Sequence, residues 1–102
     1  MDAIIAEMES LFRKGVFQKR TSFRFTVDDA SMTVTIDPES FSVEMGTQTG
    51  SVDCSCKTSA EMFKKIWCNG YRPGIMDFLG GAIKSDAPML LPQFLKAFGK
   101  EL

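Results

Sequence analysis

Four stretches between residues 22 and 57 alternate strictly between apolar and polar residues, and turn-forming residues separate them. Phe23, Phe25 and Val27 alternate with Ser22, Arg24, Thr26 and Asp28; Met32, Val34 and Ile36 alternate with Ser31, Thr33, Thr35 and Asp37. Phe41, Val43 and Met45 then alternate with Ser40, Ser42 and Glu44, and Val52, Cys54 and Cys56 with Ser51, Asp53, Ser55 and Lys57. Successive side chains of a strand point to opposite faces, so a period of two predicts strands with one wet and one dry face. The separators Asp29-Ala30, Pro38-Glu39 and Gly46-Thr47-Gln48-Thr49-Gly50 are short and turn-like. Four runs joined in this way predict an antiparallel meander whose dry face must be covered by something else.

The flanking segments supply the cover. Ile4, Ile5, Met8, Leu11 and Phe12 recur at helical spacing within Asp2–Lys14, and Gly15 follows as a helix stop. Val16–Thr21 reads as a connector. After the fourth run, Thr58-Ser59-Ala60-Glu61 has the spacing of a capping box, Met62, Phe63, Ile66 and Trp67 form a helical apolar face, and Asn69-Gly70 ends it. Pro73 suits the first residue of a short helix carrying Ile75, Met76, Phe78 and Leu79, which Gly80-Gly81 breaks. Ala82–Ser85 predicts a short fifth strand. Pro88–Phe98 predicts a last helix, with its start near Leu91 because of Pro92. Strands preceded and followed by helices make an α+β fold with the helices stacked on one side of the sheet. With 102 residues and no linker or repeat, residues 1–102 are expected to form one domain.

The helices are greasier than a single buried stripe requires. Four of the five residues Ile75–Leu79 are apolar, and Met89-Leu90-Leu91 has no polar member. Such segments bury a second surface against more protein, a partner subunit or a ligand. Nine Phe and seven Met supply large apolar area with no hydrogen-bonding demand, which suits either a plain core or a pocket for a flexible guest. Composition alone favours the plain core.

Signals for chemistry are sparse. The chain has no His, the commonest general base and metal ligand. Cys54 and Cys56 fall on the same dry face and read as small fillers, since metal knuckles prefer a C-x₂₋₄-C turn with further ligands. An odd count of three cysteines suits a reducing compartment, and Met1-Asp2-Ala3 does not begin a signal peptide, so the expected location is cytoplasmic. Asp28-Asp29 with Asp37 and Glu39 reads as turn chemistry in preference to a cation site. Gly80-Gly81 reads as a helix break in preference to a phosphate cradle, and Trp67 as core in preference to a stacking platform with Tyr71. A net charge of −1 argues against a nucleic-acid partner. The basic cluster Arg13-Lys14 with Lys19-Arg20 complements a helix end, and a weaker reading is transient contact with anionic membrane surfaces. No cofactor, metal or catalytic group is expected.

The run from Phe23 to Gly99 also resembles the sterol carrier protein-like lipid-binding domains. The likeness rests on Phe23-x-Phe25-x-Val27, on Val52–Lys57 passing straight into the capped helix Thr58–Phe63, on the Asn69-Gly70 stop, and on Ile75–Gly81 leading into Ile83-Lys84. Ser85-Asp86 stands where family members usually have Gly-Asp, and the chain ends Gly99-Lys100-Glu101-Leu102 without a peroxisomal tail. The resemblance implies a five-stranded, mainly antiparallel sheet with helices on one face, enclosing an apolar tunnel. Its function would be the non-catalytic binding, carriage or presentation of a fatty acyl, acyl-CoA, sterol-like or isoprenoid tail. Facing directions then place Phe25, Val34, Val43 and Cys54 of the sheet against the tail. The helices would add Phe63, Trp67, Met76, Phe78, Leu79, Leu91, Phe94 and Leu95. The last helix and the Gly80-Gly81 break are candidates for a lid. The rival expectation is an interaction or scaffold domain, using the same apolar surface to form a homodimer or to dock onto a lipid-biosynthetic enzyme.

Overall fold

A computed structural model describes residues 2–46 and 50–100, so Thr47–Thr49 of the expected turn and the Glu101-Leu102 tail lie outside the described residues. The elements are α1 (Asp2–Leu11), β1 (Thr21–Val27), β2 (Ala30–Ile36), β3 (Phe41–Met45), β4 (Cys54–Thr58), α2 (Ala60–Asn69), α3 (Ile75–Leu79), β5 (Ile83–Ser85), a 3₁₀ turn (Pro88–Leu90) and α4 (Leu91–Ala97). The five strands form one open sheet in the order β3-β2-β1-β4-β5.

Strand positions and dry faces follow the alternation. Phe23, Phe25, Val27, Met32, Val34, Ile36, Cys54 and Cys56 are all buried, while the intervening residues are half-buried or exposed. The order of the strands corrects the expected meander. β4 pairs with β1, in parallel (Phe23 opposite Cys54, Phe25 opposite Cys56), so the sheet is mixed. Alternation states which face of a strand is dry but not which strand lies beside it. Polar contacts of the connector accompany this pairing. The Asp53 carboxylate accepts from Ser22 N–H at 2.9 Å, and Arg24 Nη1 donates to the Gly50 carbonyl at 3.0 Å, tying the chain entering β4 to β1. The result puts the bulky β1 residues mid-sheet and leaves β3, with its exposed Met45, at an edge.

The second half of the chain shows how local chemistry shifts an element by one residue. The N-cap of α2 is Ser59, whose hydroxyl accepts from Met62 N–H at 3.1 Å. The expected box begun by Thr58 does not form, because Thr58 ends β4 and its hydroxyl donates to the Ala82 carbonyl at 2.9 Å. Gly70 closes α2 in the left-handed region (φ 70°), a conformation that favours glycine. Pro73 precedes α3 rather than opening it. Gly74 is the N-cap, and its N–H is held by the Asp77 carboxylate at 2.8 Å. That carboxylate also accepts from the Tyr71 hydroxyl at 2.7 Å, a bond that lowers the pKa of Asp77 and raises that of Tyr71. Ser85 ends β5, and Asp86 then accepts from Ser55 N–H at 2.7 Å, bracing the sheet edge.

One buried cluster joins α1, α2 and α4 to the dry face. The Val16–Thr21 connector also contributes. Phe17 is buried edge-on against Phe23 at 5.8 Å, a core residue hidden in a segment with no periodicity. No described helix is long and apolar enough to cross a membrane.

Candidate functional site

The two halves of the interior are filled differently. Over β2 and β3, Phe12, Phe41 and Phe98 meet in a triangle with centroids 5.0, 5.7 and 5.2 Å apart, packed beside Trp67 and Phe94. Over β1, β4 and β5 the helices stand off and leave a partly open cavity of about 370 Å³. The sheet contributes Phe25, Cys56, Thr58 and Ile83; α2 contributes Phe63, Ile66 and Trp67. Arg72, Pro73 and Phe78 line it between α2 and β5, and Pro88, Leu91, Pro92, Phe94 and Leu95 complete the wall. Phe25 packs on Phe63 at 5.6 Å and on Phe94 at 4.8 Å, and Phe63 stacks with Trp67 at 6.4 Å.

The wall has few groups that hold water. Three of the four prolines (Pro73, Pro88 and Pro92) line the cavity, before α3, at the start of the 3₁₀ turn and in the first turn of α4, and contribute wall without a backbone N–H. The Thr58 hydroxyl is engaged by Ala82. Burial pushes the Cys56 thiol up to about 12, so it remains a neutral, weakly polar filler at ordinary pH. Among the described residues the one charged side chain in the wall is Arg72. Its Nη1 donates to the Tyr71 carbonyl at 3.4 Å and its Nη2 to the Lys100 carbonyl.

Seven of the twelve residues expected to contact a tail line this cavity: Phe25, Phe63, Trp67, Phe78, Leu91, Phe94 and Leu95. The other five do not. Val34 is buried on β2 and Val43 half-buried on the edge strand β3, in the half closed by the aromatic triangle. Cys54 is buried against β5, with its sulfur 3.6 Å from the Ser85 hydroxyl and 3.4 Å from the Ala87 carbonyl, and desolvation raises its pKa. Met76 and Leu79 point outward, each 73% exposed, because α3 is a five-residue helix that turns only Phe78 inward. With Ile75 and Met89, at 72% and 70%, they leave exposed apolar side chains on the two elements that supply Phe78 and Pro88 to the cavity. No closed tunnel is seen among the described residues. The described residues form a pocket open on one side, and the sheet is not closed.

Sequence reasoning missed Cys56, Ile66 and Ile83, although alternation and helical spacing had already put them on inward faces. The prolines carried a usable signal, since each stands at or near a helix start beside an apolar run. Arg72 carried none. Cys68, the third thiol, is exposed on α2 and apart from the buried pair on β4.

No family model matches the sequence, and no curated protein matches it. Solved structures do match in fold. A double mutant of a sec-alkylsulfatase aligns with 95% of the chain at a TM-score of 0.78 and 12% identity, and the sec-alkylsulfatase Pisa1 of Pseudomonas sp. with 92% at 0.68 and 12%. The chain spans only 16% and 15% of those two enzymes. UbiJ-SCP2, a ubiquinone synthesis protein, aligns with 97% of the chain and 80% of its own length, at a TM-score of 0.56 and 14% identity. A conserved hypothetical protein of Thermus thermophilus, considered a sterol carrier protein candidate, aligns with 96% of the chain and 78% of its own length, at 0.52 and 9%. The mixed five-stranded sheet, its one-sided helices and these likenesses together identify the fold as that of a sterol carrier protein-type domain.

Proposed function

We propose that the chain binds one apolar tail, fatty acyl, acyl-CoA, sterol-like or isoprenoid, and carries or presents it without catalysis. The observation that carries this reading is the apolar pocket of about 370 Å³ between sheet and helices. As a dry void it would cost about 9 kcal/mol at the penalty of roughly 24 cal/mol per Å³ seen for core cavities. That rivals the ~5–15 kcal/mol total stability of a domain, so the vacant pocket is wet or partly collapsed and gains by taking a guest. At about 30 Å³ for a group the size of a water molecule, on the order of a dozen methylenes fill it. Their burial yields roughly 10 kcal/mol gross at ~0.8 kcal/mol each. Association costs of at least ~4 kcal/mol leave no more than about 6 kcal/mol, an affinity on the order of tens of micromolar or weaker.

The names of the fold neighbours agree with this chemistry. Alkyl sulfates, ubiquinone and sterols all carry long or bulky apolar portions, although none of these ligands is thereby assigned to this chain. The sulfatase reaction is not transferred, because the chain corresponds to a small part of those enzymes. Free thiols suit a cytoplasmic setting. Native mass spectrometry of the freshly purified chain is the test. A one-to-one lipid adduct that an organic extract removes supports the reading, and a chain without any adduct that also refuses added lipid contradicts it.

A second reading rests on exposed Ile75, Met76, Leu79 and Met89. Apolar patches of this kind mark contact surfaces, so a scaffold or dimer role would use α3 and the 3₁₀ turn. An obligate dimer in the same mass spectra, with the tail pocket empty, would favour it.

A further inference from the structure

Among the described residues the pocket wall is apolar apart from the Trp67 indole N–H, one hydroxyl, one thiol and one cation, and the first three are already accounted for by hydrogen bonds and by burial. Arg72 differs from these. It is half-buried in the short segment between α2 and α3, where the Tyr71 and Lys100 carbonyls hold the guanidinium in place. A guanidinium has five N–H donors, and these two carbonyls engage only part of the set. Among the described residues Arg72 makes no ion pair. Among the described residues, the acids bonded to the side chains of Tyr71 and Lys100 are engaged, Asp77 by Tyr71 and Gly74, and Glu7 by Trp67 and Lys100. Lys100 Nζ lies over the Trp67 ring at 5.2 Å, adding a second positive charge beside a residue of the same wall. A fixed cation bordering an apolar wall is poorly screened and attracts an oxyanion strongly, and its fork geometry matches a carboxylate or sulfate.

We propose that Arg72 is the head-group determinant of this pocket, which therefore selects single-chain amphiphiles ending in an oxyanion, such as a carboxylate or a sulfate monoester, over chains ending in a neutral group. The tail lies among Phe63, Trp67 and Phe94, and the charged end rests against the guanidinium. This rests on the tail-binding reading above and goes beyond it by naming the class of head. The carbonyls that position Arg72 do not compete for it, because a carbonyl leaves its charge intact.

Trp67 is the chain's one tryptophan and lines the pocket, so its fluorescence reports occupancy without a label. Dodecanoate and dodecan-1-ol, equal in chain and different in head, are titrated into the wild type, Arg72→Gln and Arg72→Lys at neutral pH. The expected result is a preference for dodecanoate of about tenfold or more in the wild type, from charge-assisted hydrogen bonding. Arg72→Gln should abolish that preference, and Arg72→Lys should keep part of it. The wild-type preference should weaken only modestly as salt is raised, since Arg72 is half-buried and a partly buried charge is screened less than an exposed one. Equal wild-type affinity for the two ligands overturns the proposal and leaves tail binding standing, even if Arg72→Gln does not fold. An undiminished preference in Arg72→Gln also overturns it. Failure of both ligands to bind the wild type overturns the tail-binding reading itself.

Discussion

Burial raises the Cys56 thiol from 9.0 to about 12, with the neighbouring Cys54 adding to the effect. The folded chain therefore holds a proton that the unfolded chain releases above pH 9. Stability contributed by this group is complete below pH 9 and is lost as the pH rises from 9 toward 12. Denaturation midpoints measured at pH 8, 10 and 11 should fall progressively, and Cys56→Ala should flatten that decline. At pH 8 a thiol reagent should label one cysteine rapidly, exposed Cys68, with Cys54 and Cys56 reacting only after denaturation. Core contributions divide as sharply. Phe94 touches Phe23, Phe25, Trp67 and Phe98, so Phe94→Ala should cost about 3–5 kcal/mol, whereas Met76→Ala on the exposed side of α3 should stay within about 0.5 kcal/mol. Urea unfolding of the two variants checks both values. The site residues that were legible from the chain are those like Phe25, Phe63 and Phe94, whose periodicity alone makes them face inward. Val34 and Val43 face the same way, yet Phe12, Phe41 and Phe98 fill the space before them, and no pattern along one segment reveals what another segment covers. Arg72 was illegible for a related reason: its place depends on a carbonyl 28 residues away, at Lys100.

At the scale of elements, every strand and helix of the sequence reading exists, and the differences come from competition for hydrogen bonds. Thr58 and Ser59 are both favourable caps by residue type, Ser the better, and the Ala82 carbonyl of the chain entering β5 takes Thr58. Ser59→Ala should therefore cost about 1 kcal/mol through the lost bond to Met62 N–H. Glu61→Ala, which would remove the acceptor of a reciprocal capping box begun at Thr58, should change little, within about 0.5 kcal/mol. Amide exchange at Met62, faster in Ser59→Ala than in the wild type, locates the effect in the first turn of α2. The parallel β1–β4 pair was not legible, because alternation is identical for either neighbour, and the contacts that accompany the pairing, Asp53 to Ser22 and Arg24 to Gly50, involve the connector before β4. The outward turn of α3 was hidden too. Its segment looks buried by composition, but a helix of five residues has one side to offer the core, and Phe78 occupies it.

For the whole molecule, the aromatic triangle over β2 and β3 gives a solid half that can hold the fold while the half over β1, β4 and β5 stays open. Occupancy should therefore appear as stability. A tail at 100 times its dissociation constant adds about 2.7 kcal/mol, which for a chain of this size raises the melting temperature by roughly 10–20 °C. The most direct measurement is the affinity of saturated fatty acids of increasing length, read by Trp67 fluorescence. Affinity is predicted to rise about fourfold per methylene, the equivalent of ~0.8 kcal/mol, until roughly a dozen carbons fill the pocket, and then to level off at one ligand per chain. Affinity that ignores chain length, or binding that never saturates at one per chain, would contradict it.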